Sequence, residues 1–281
     1  MPATEPTQMP SLASQDSASE GRSALTRLLQ ILDLFTVEHP KIHVDEVVAA
    51  FAVGQSTAYR YLKELGDAGL ISSVGKGFYA LGRRIVELER LLQQSDPLLL
   101  AGKPVLEALQ PYCANRAFLL CTPYNDRVLC VYKVGASDIL QSGKSMPIQR
   151  GRGTTYPLFQ GAGSQAILAH MLPHQIKSLF LTCPQEIVAA GLGATWKEFR
   201  TALNAIRKLG YAHSTGRVNP GMYSLAVPIL KADTRVAGSI LMLSAAEQAE
   251  ESVALLPMLQ QKAQAIAGVL DIFENAASVE V

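Results

Sequence analysis

Residues 44–82, VDEVVAAFAVGQSTAYRYLKELGDAGLISSVGKGFYALG, constrain the fold most tightly. Val44, Val47, Val48 and Phe51 recur at helical spacing, and a short break follows at Ala52-Val53-Gly54. Ser56 is a good N-cap for a second helix, on which Ala58, Leu62 and Leu65 share one face. Gly69 is a helix stop. Residues 70–74 and 78–81 then read as two strands around Gly75-Lys76-Gly77, a hairpin signal. Helix, turn, helix and hairpin in that order predict a winged helix-turn-helix, whose second helix lies in the major groove of DNA.

If Ala58, Leu62 and Leu65 are buried, then Gln55, Ser56, Thr57, Tyr59, Arg60 and Lys63 point outward near the start of that helix. Arg60 is the expected base reader, forking onto a guanine edge. Thr57 and Tyr59 suit a thymine methyl or a phosphate, and Lys63 a phosphate. Lys76, at the tip of the hairpin, joins them as a DNA contact. The alternative is that Arg60 and Lys63 belong to a solvated helix face.

The rest of the chain extends this plan. Residues 1–22 are rich in Ser, Ala, Pro and Thr and read as a disordered tail. From Ser23, the residues Leu25, Leu28, Leu29, Leu32 and Phe35 describe an amphipathic helix ended by Pro40. The DNA-binding domain is expected over 23–82. Residues 83–96 read as a linker helix, with Ile85, Leu88, Leu91 and Leu92 as a stripe that pairs with a partner chain or packs on its own domain. Residues 97–281 form the remaining domain. Its predicted helices are 97–110, 162–172, 195–209 and 254–273, the last interrupted near Pro257. Its predicted strands are 117–122, 128–134, 224–230 and 236–243. A turn is expected at 123–126 and a glycine-rich basic loop at 143–157. Strands clustered between helices without β-α alternation predict an α+β domain with an antiparallel sheet.

A 48% hydrophobic content is enough for sizeable cores, and the net charge of +1 gives no global sign of nucleic-acid binding. Between Arg22 and Arg90 there are 9 basic and 8 acidic residues. This argues against a tight non-specific binder and leaves room for a dimer that reads a defined site. Cys113, Cys121, Cys130 and Cys183 show no C-x-x-C pair. They read as small buried side chains in a reduced compartment, with no metal site. Neither a signal peptide nor a membrane span is legible, so a cytoplasmic protein is expected.

Four stretches resemble the isocitrate lyase regulator (IclR) family of bacterial transcription factors. SALTRLLQILDLF resembles its opening helix, and STAYRYLKELGDAGLI with FYALG its recognition helix and wing. PLFQGAGSQAILAHMLP and LGYAHSTGRVNPGMYSLAVPIL resemble its two effector-domain signatures. The resemblance covers about residues 23–273. It implies a GAF-like effector domain behind the winged helix-turn-helix, and a homodimer or dimer of dimers on double-stranded promoter DNA. It also implies a small organic acid as effector, control of a catabolic operon, and no cofactor.

Carried over to this chain, the effector site falls on Gly161, Ala162, Ser214, Arg217, Ser224, Leu241 and Leu243. Leu241 and Leu243 replace residues that are polar in relatives sensing very small acids. An acidic cluster of those relatives is here Ser214-Thr215-Gly216-Arg217. Both changes favour an aromatic carboxylate, although the two leucines read equally well as sheet core. Three further departures are Ala52 where the family usually has Gly, Gly54-Gln55 in place of a Pro-basic pair, and Gln165 where Lys is common.

Two other readings compete. Tyr59-x-x-x-Lys63 copies the catalytic pair of short-chain dehydrogenases, and Gly161-x-Gly163-x-x-Ala166 copies a loose dinucleotide fingerprint. Their order is wrong for an NAD(P)-dependent oxidoreductase, and no acidic residue sits about twenty positions on. Neither a catalytic residue nor an enzyme is therefore expected. The other alternative is a sensor module that no longer binds DNA.

Overall fold

The computed structural model describes residues 23–148, 151–216 and 221–279, with side-chain surroundings defined as far as residue 276. Arg217 and the N-terminal tail lie outside the described residues. The chain divides into two units, Met1–Leu92 and Gln93–Val281.

In the first unit, α1 (Ala24–Gln30) is capped by Ser23, whose hydroxyl accepts from the Thr26 amide. A 3-10 turn at Ile31–Leu34 replaces the continuation of the helix expected through Phe35. The change of pitch brings Ile31 into the core, while Leu25 and Leu29 stay exposed at 65% and 48%. Strand β1 (Lys41–His43), for which the sequence carried no signal, leads into α2 (Val44–Phe51). His43 and Glu46 form a capping box at the start of α2.

Helix α3 (Gln55–Asp67) is capped by Gly54 and not by Ser56, which lies inside its first turn. The extended backbone at Gly54 lets its carbonyl accept from the Thr57 and Ala58 amides at 2.9 and 3.0 Å. Ala58, Leu62 and Leu65 are buried as expected, joined by Tyr61. At the other end Gly69 takes φ +73°, and the Leu70 amide returns to the Leu65 carbonyl at 2.9 Å. This six-to-one bond ends the helix cleanly. Strands β2 (Ile71–Gly75) and β3 (Phe78–Leu81) make the wing, and β1 completes a three-stranded sheet in the order β1-β3-β2. Helix α4 (Arg84–Ser95) follows, and the division between units falls within it.

The second unit is built on a six-stranded antiparallel sheet in the order β8-β5-β4-β11-β10-β9. Its centre is β4 (Arg116–Tyr124), β5 (Arg127–Gly135), β10 (Met222–Leu230) and β11 (Val236–Ala245). Strand β4 runs through Pro123 and Tyr124, so the turn shrinks to Asn125 and Asp126, with Asn125 at φ +52°. The expected loop at 143–157 holds two strands, β7 (Lys144–Pro147) and β8 (Thr155–Pro157). Strand β7 pairs with β6 (Asp138–Gln141), and β9 (Ala212–Thr215) edges the sheet.

One sheet face packs on α5 (Pro97–Glu107) and α11 (Leu256–Val279) through Phe118, Leu120, Leu225, Ile240 and Met242. Pro257 starts α11 rather than interrupting it, since a proline in the first turn lacks only an amide with no helical partner. The shorter α10 (Ala249–Ala254) precedes it. The other face, with Leu119, Cys121, Leu241 and Leu243, lies under α6 (Ala162–Leu168), and the same core includes residues of α7 (Pro173–Thr182), α8 (Pro184–Ala189) and α9 (Trp196–Leu209). Helix α6 ends four residues earlier than expected.

Candidate nucleic-acid interface and effector site

The buried stripe of α3 decides which side chains are free. With Ala58, Tyr61, Leu62 and Leu65 inward, Gln55, Ser56, Tyr59, Arg60 and Lys63 are exposed and Thr57 is half-buried. The Arg60 guanidinium carbon lies 5.8 Å from the Tyr61 ring centroid. Its charged fork has no carboxylate within 4 Å among the described residues. Gly54 supplies no capping side chain, so the first amides of α3 remain available to an anion at the helix start.

The wing tip is a run of left-handed residues, Gly75 at φ +94°, Lys76 at +52° and Gly77 at +77°. It lifts Lys76 into solvent. The tip is tied to α2, because the Val44 amide donates to the Gly77 carbonyl at 3.0 Å. His43 packs on Phe78 with ring centroids 4.7 Å apart. Glu46 holds the same corner by accepting from the His43 amide at 2.8 Å, with His39 2.6 Å from its other oxygen.

In the second unit, α6 starts at Gly161 and all seven of its residues are buried. Gly163 lies directly on the sheet, where a Cβ would meet Leu241 Cδ2 at 3.3 Å. The Ser239 hydroxyl donates to the Gly163 carbonyl at 3.1 Å. Ser224 stands opposite Ser214 on one side and Leu243 on the other, and its hydroxyl donates to the Ser214 carbonyl at 3.1 Å. Strand alternation puts Ser214, Ser224, Leu241 and Leu243 on the face covered by α6.

The described members of this set differ in their surroundings. Leu241 and Leu243 are 1% and 2% exposed and sit in the core beneath α6. Gly161 instead borders a cavity of about 200 Å³ with Phe159, Gln160, Gln165, Ala189 and Gly191. Gln165, buried in its wall, donates to the Phe159 carbonyl at 3.1 Å. Phe159, Gln165 and Ala189 of α8 are not among the expected effector residues. The sequence features that fall on this wall are the expected effector residue Gly161 and the departure from Lys at 165.

The dinucleotide fingerprint finds no support in this setting. Gly161 follows β8, a short strand paired antiparallel at the sheet edge, whereas the fingerprint requires a parallel strand. Tyr59 and Lys63 belong to the other unit. Among the described residues, no three His, Cys, Asp or Glu side chains gather as metal ligands, and no helix is long and apolar enough to cross a membrane.

Comparison with known proteins agrees with this architecture. The family model described as the bacterial transcriptional regulator IclR C-terminal domain matches residues 91–268, and the IclR helix-turn-helix domain matches residues 24–75. The HTH-type transcriptional regulator KipR of Bacillus subtilis is 20% identical over 220 residues, covering 77% of this chain and 83% of its own. An IclR homologue from Microbacterium hydrocarbonoxydans, solved with 4-hydroxybenzoate, superimposes with a TM-score of 0.68 at 21% identity, covering 88% of this chain and 99% of that one. An IclR transcriptional regulator from Alicyclobacillus acidocaldarius superimposes with a TM-score of 0.67 at 19% identity, covering 88% and 98%.

Proposed function

Because the chain belongs to the IclR family of bacterial transcriptional regulators, with a DNA-binding and an effector domain, we propose that it reads its promoter through the outward face of α3. Arg60 reads a guanine edge. Lys63 and the wing-tip Lys76 neutralise phosphates, and Gln55, Ser56, Thr57 and Tyr59 complete the contact. The observation that carries this is the sharp division of α3 into a buried apolar stripe and an exposed polar one. A homodimer, or dimer of dimers, on a partly palindromic operator fits a family whose module contacts few base pairs. The cytoplasm is the compartment where such a site is met.

The effector in this reading is an aromatic carboxylate, held in the second unit by Gly161, Ala162, Ser214, Ser224, Leu241 and Leu243, with Arg217 assisting. Two features support it. Leu241 and Leu243 offer a ring apolar contact and leave the extra oxygens of a small keto acid unpaired, at a cost of about 1–3 kcal/mol each. The Microbacterium homologue was solved with 4-hydroxybenzoate.

Calorimetry with benzoate-like acids, pyruvate and glyoxylate tests the effector. The aromatic acids should bind more tightly, and Ser224→Ala and Leu241→Ser should each weaken them. Tighter binding of pyruvate or glyoxylate, or unchanged affinity in both variants, refutes the pocket. Salt-dependent mobility shift on promoter DNA tests the regulator reading separately.

A further inference from the structure

Helices α7 and α9 border a second, solvent-open concavity of about 330 Å³, within the range of small-molecule sites. Along α9, Trp196, Arg200, Leu203, Asn204 and Arg207 line it. Their spacing of four, three, one and three residues makes them one continuous helix stripe. Helix α7 adds Ile176 and Lys177. The floor is apolar, with Leu203 2% and Ile176 5% exposed. The rim is cationic, because Lys177, Arg200 and Arg207 all lie at the surface. No carboxylate belongs to the lining, and among the described residues none lies within 4 Å of these three cations.

A solvated basic helix face does not account for this arrangement. Arg207, in the last turn of α9, is favoured there by the helix dipole. Arg200 is mid-helix and Lys177 is on another helix, so the dipole explains neither. Arg207 is also fixed in place, since its Nε donates to the Ala169 carbonyl while its terminal nitrogens have no described partner. Its charge is felt nearby, where it adds to burial in holding the His170 imidazole below its ordinary range. Like charges that converge on one concavity focus a positive potential into it. The ring centroid of half-buried Trp196 is 5.4 Å from that of Phe180, and the Arg200 guanidinium carbon lies over the indole, 5.8 Å from its centroid, so an apolar edge and a cation meet at one wall.

We propose that the α7–α9 groove binds a small organic dianion with a planar apolar body, of the aromatic dicarboxylate class. Its carboxylates pair with Lys177, Arg200 and Arg207, and its ring lies over Leu203 and Ile176 along the edge of the Trp196 indole. This site shares no residue with the effector pocket proposed above and does not depend on it.

Trp196 is the one tryptophan of the chain, so its fluorescence reports the groove locally. Phthalate titrated into the full-length protein should quench it saturably, and the calorimetric titration should contain a phase with the same Kd. Benzoate, with one carboxylate, should bind about tenfold more weakly, the loss of one charge-assisted hydrogen bond. Lys177→Gln and Arg200→Gln, at exposed positions, should keep the circular dichroism of the parent and raise the phthalate Kd about tenfold each. Lys208→Gln, an exposed α9 cation outside the groove lining, should leave it unchanged. The assignment is overturned if phthalate gives no saturable response, or if both groove variants bind it like the parent. It is also overturned if Ser224→Ala alone abolishes the signal, or if polyglutamate quenches where phthalate does not.

Discussion

The imidazole of His43 fills the space that a side chain on Gly77 would need. A Cβ at Gly77 would lie 2.6 Å from His43 Nε2. The wing therefore closes onto the N-terminus of α2 only while residue 77 has no side chain.

Gly77→Ala is expected to destabilise the first unit by about 1–3 kcal/mol, through this contact and the left-handed backbone. In a His43→Ala background, which itself loses the α2 cap, the further cost of Gly77→Ala should shrink by the steric part and keep the backbone part. The denaturant midpoint of each variant measures both, and an unchanged midpoint in Gly77→Ala contradicts the account.

Arg60→Ala should lower affinity for the cognate operator by about 1–3 kcal/mol and relax specificity at one base pair. Lys63→Ala should weaken cognate and random DNA alike and reduce the salt dependence. Equal losses on both DNAs for Arg60→Ala would remove its role as a reader.

Ala52 holds the turn between α2 and α3 in the left-handed region, at φ +48° and ψ +44°. An L-residue is strained there by about 1–2 kcal/mol, whereas glycine is not. Ala52→Gly should raise stability by roughly 0.5–1 kcal/mol after the extra freedom of glycine in the unfolded chain is deducted. A lower melting temperature would show that the turn is not strained.

Helix α4 exposes Leu88, Leu91 and Leu92 at 44%, 60% and 53%. Leu88→Glu is expected to weaken self-association and operator binding together. Light scattering at micromolar concentration provides the check, and a parent chain that binds DNA normally as a monomer contradicts the pairing role.

His170 gives a pH prediction. Its Nδ1 donates to the Ala166 carbonyl at 2.9 Å. Burial lowers its pKa from the ordinary 6.5; the bond to Ala166 opposes this and Arg207 reinforces it. The unfolded chain then binds the proton more readily than the folded one. Stability from neutral His170 is complete above pH 6.5 and is lost as pH falls through the folded value. His170→Asn should flatten the fall in melting temperature below neutrality, and an identical slope in the variant excludes His170 as its source.

The sequence by itself determined the winged helix-turn-helix, because its signals are local. Ala58, Leu62 and Leu65 repeat at helical spacing, and Gly69, Gly75 and Gly77 mark positions that need positive φ. The central strands of the second unit were legible for the same reason, as dense runs of β-formers. The short strands β1, β6, β7, β8 and β9 were not, because three or four residues carry little periodicity and pair only once a partner strand is in place. Gly54 displaced Ser56 as the cap because the backbone of the turn, not side-chain preference, chose the first helical residue.

Tertiary structure alone decided the environment of the effector residues. Spacing placed Leu241 and Leu243 on one strand face, but only the packing of α6 shows Leu241 pressed against Gly163. The α7–α9 groove was equally hidden. Trp196, Phe199, Leu203 and Ile206 read as one apolar side of a helix, while the cations between them acquire meaning only when Lys177 from another helix faces them. A helix pattern reports which side is buried. Which charges converge across the gap depends on where the next helix lies, and that is set by the shape of the shared core.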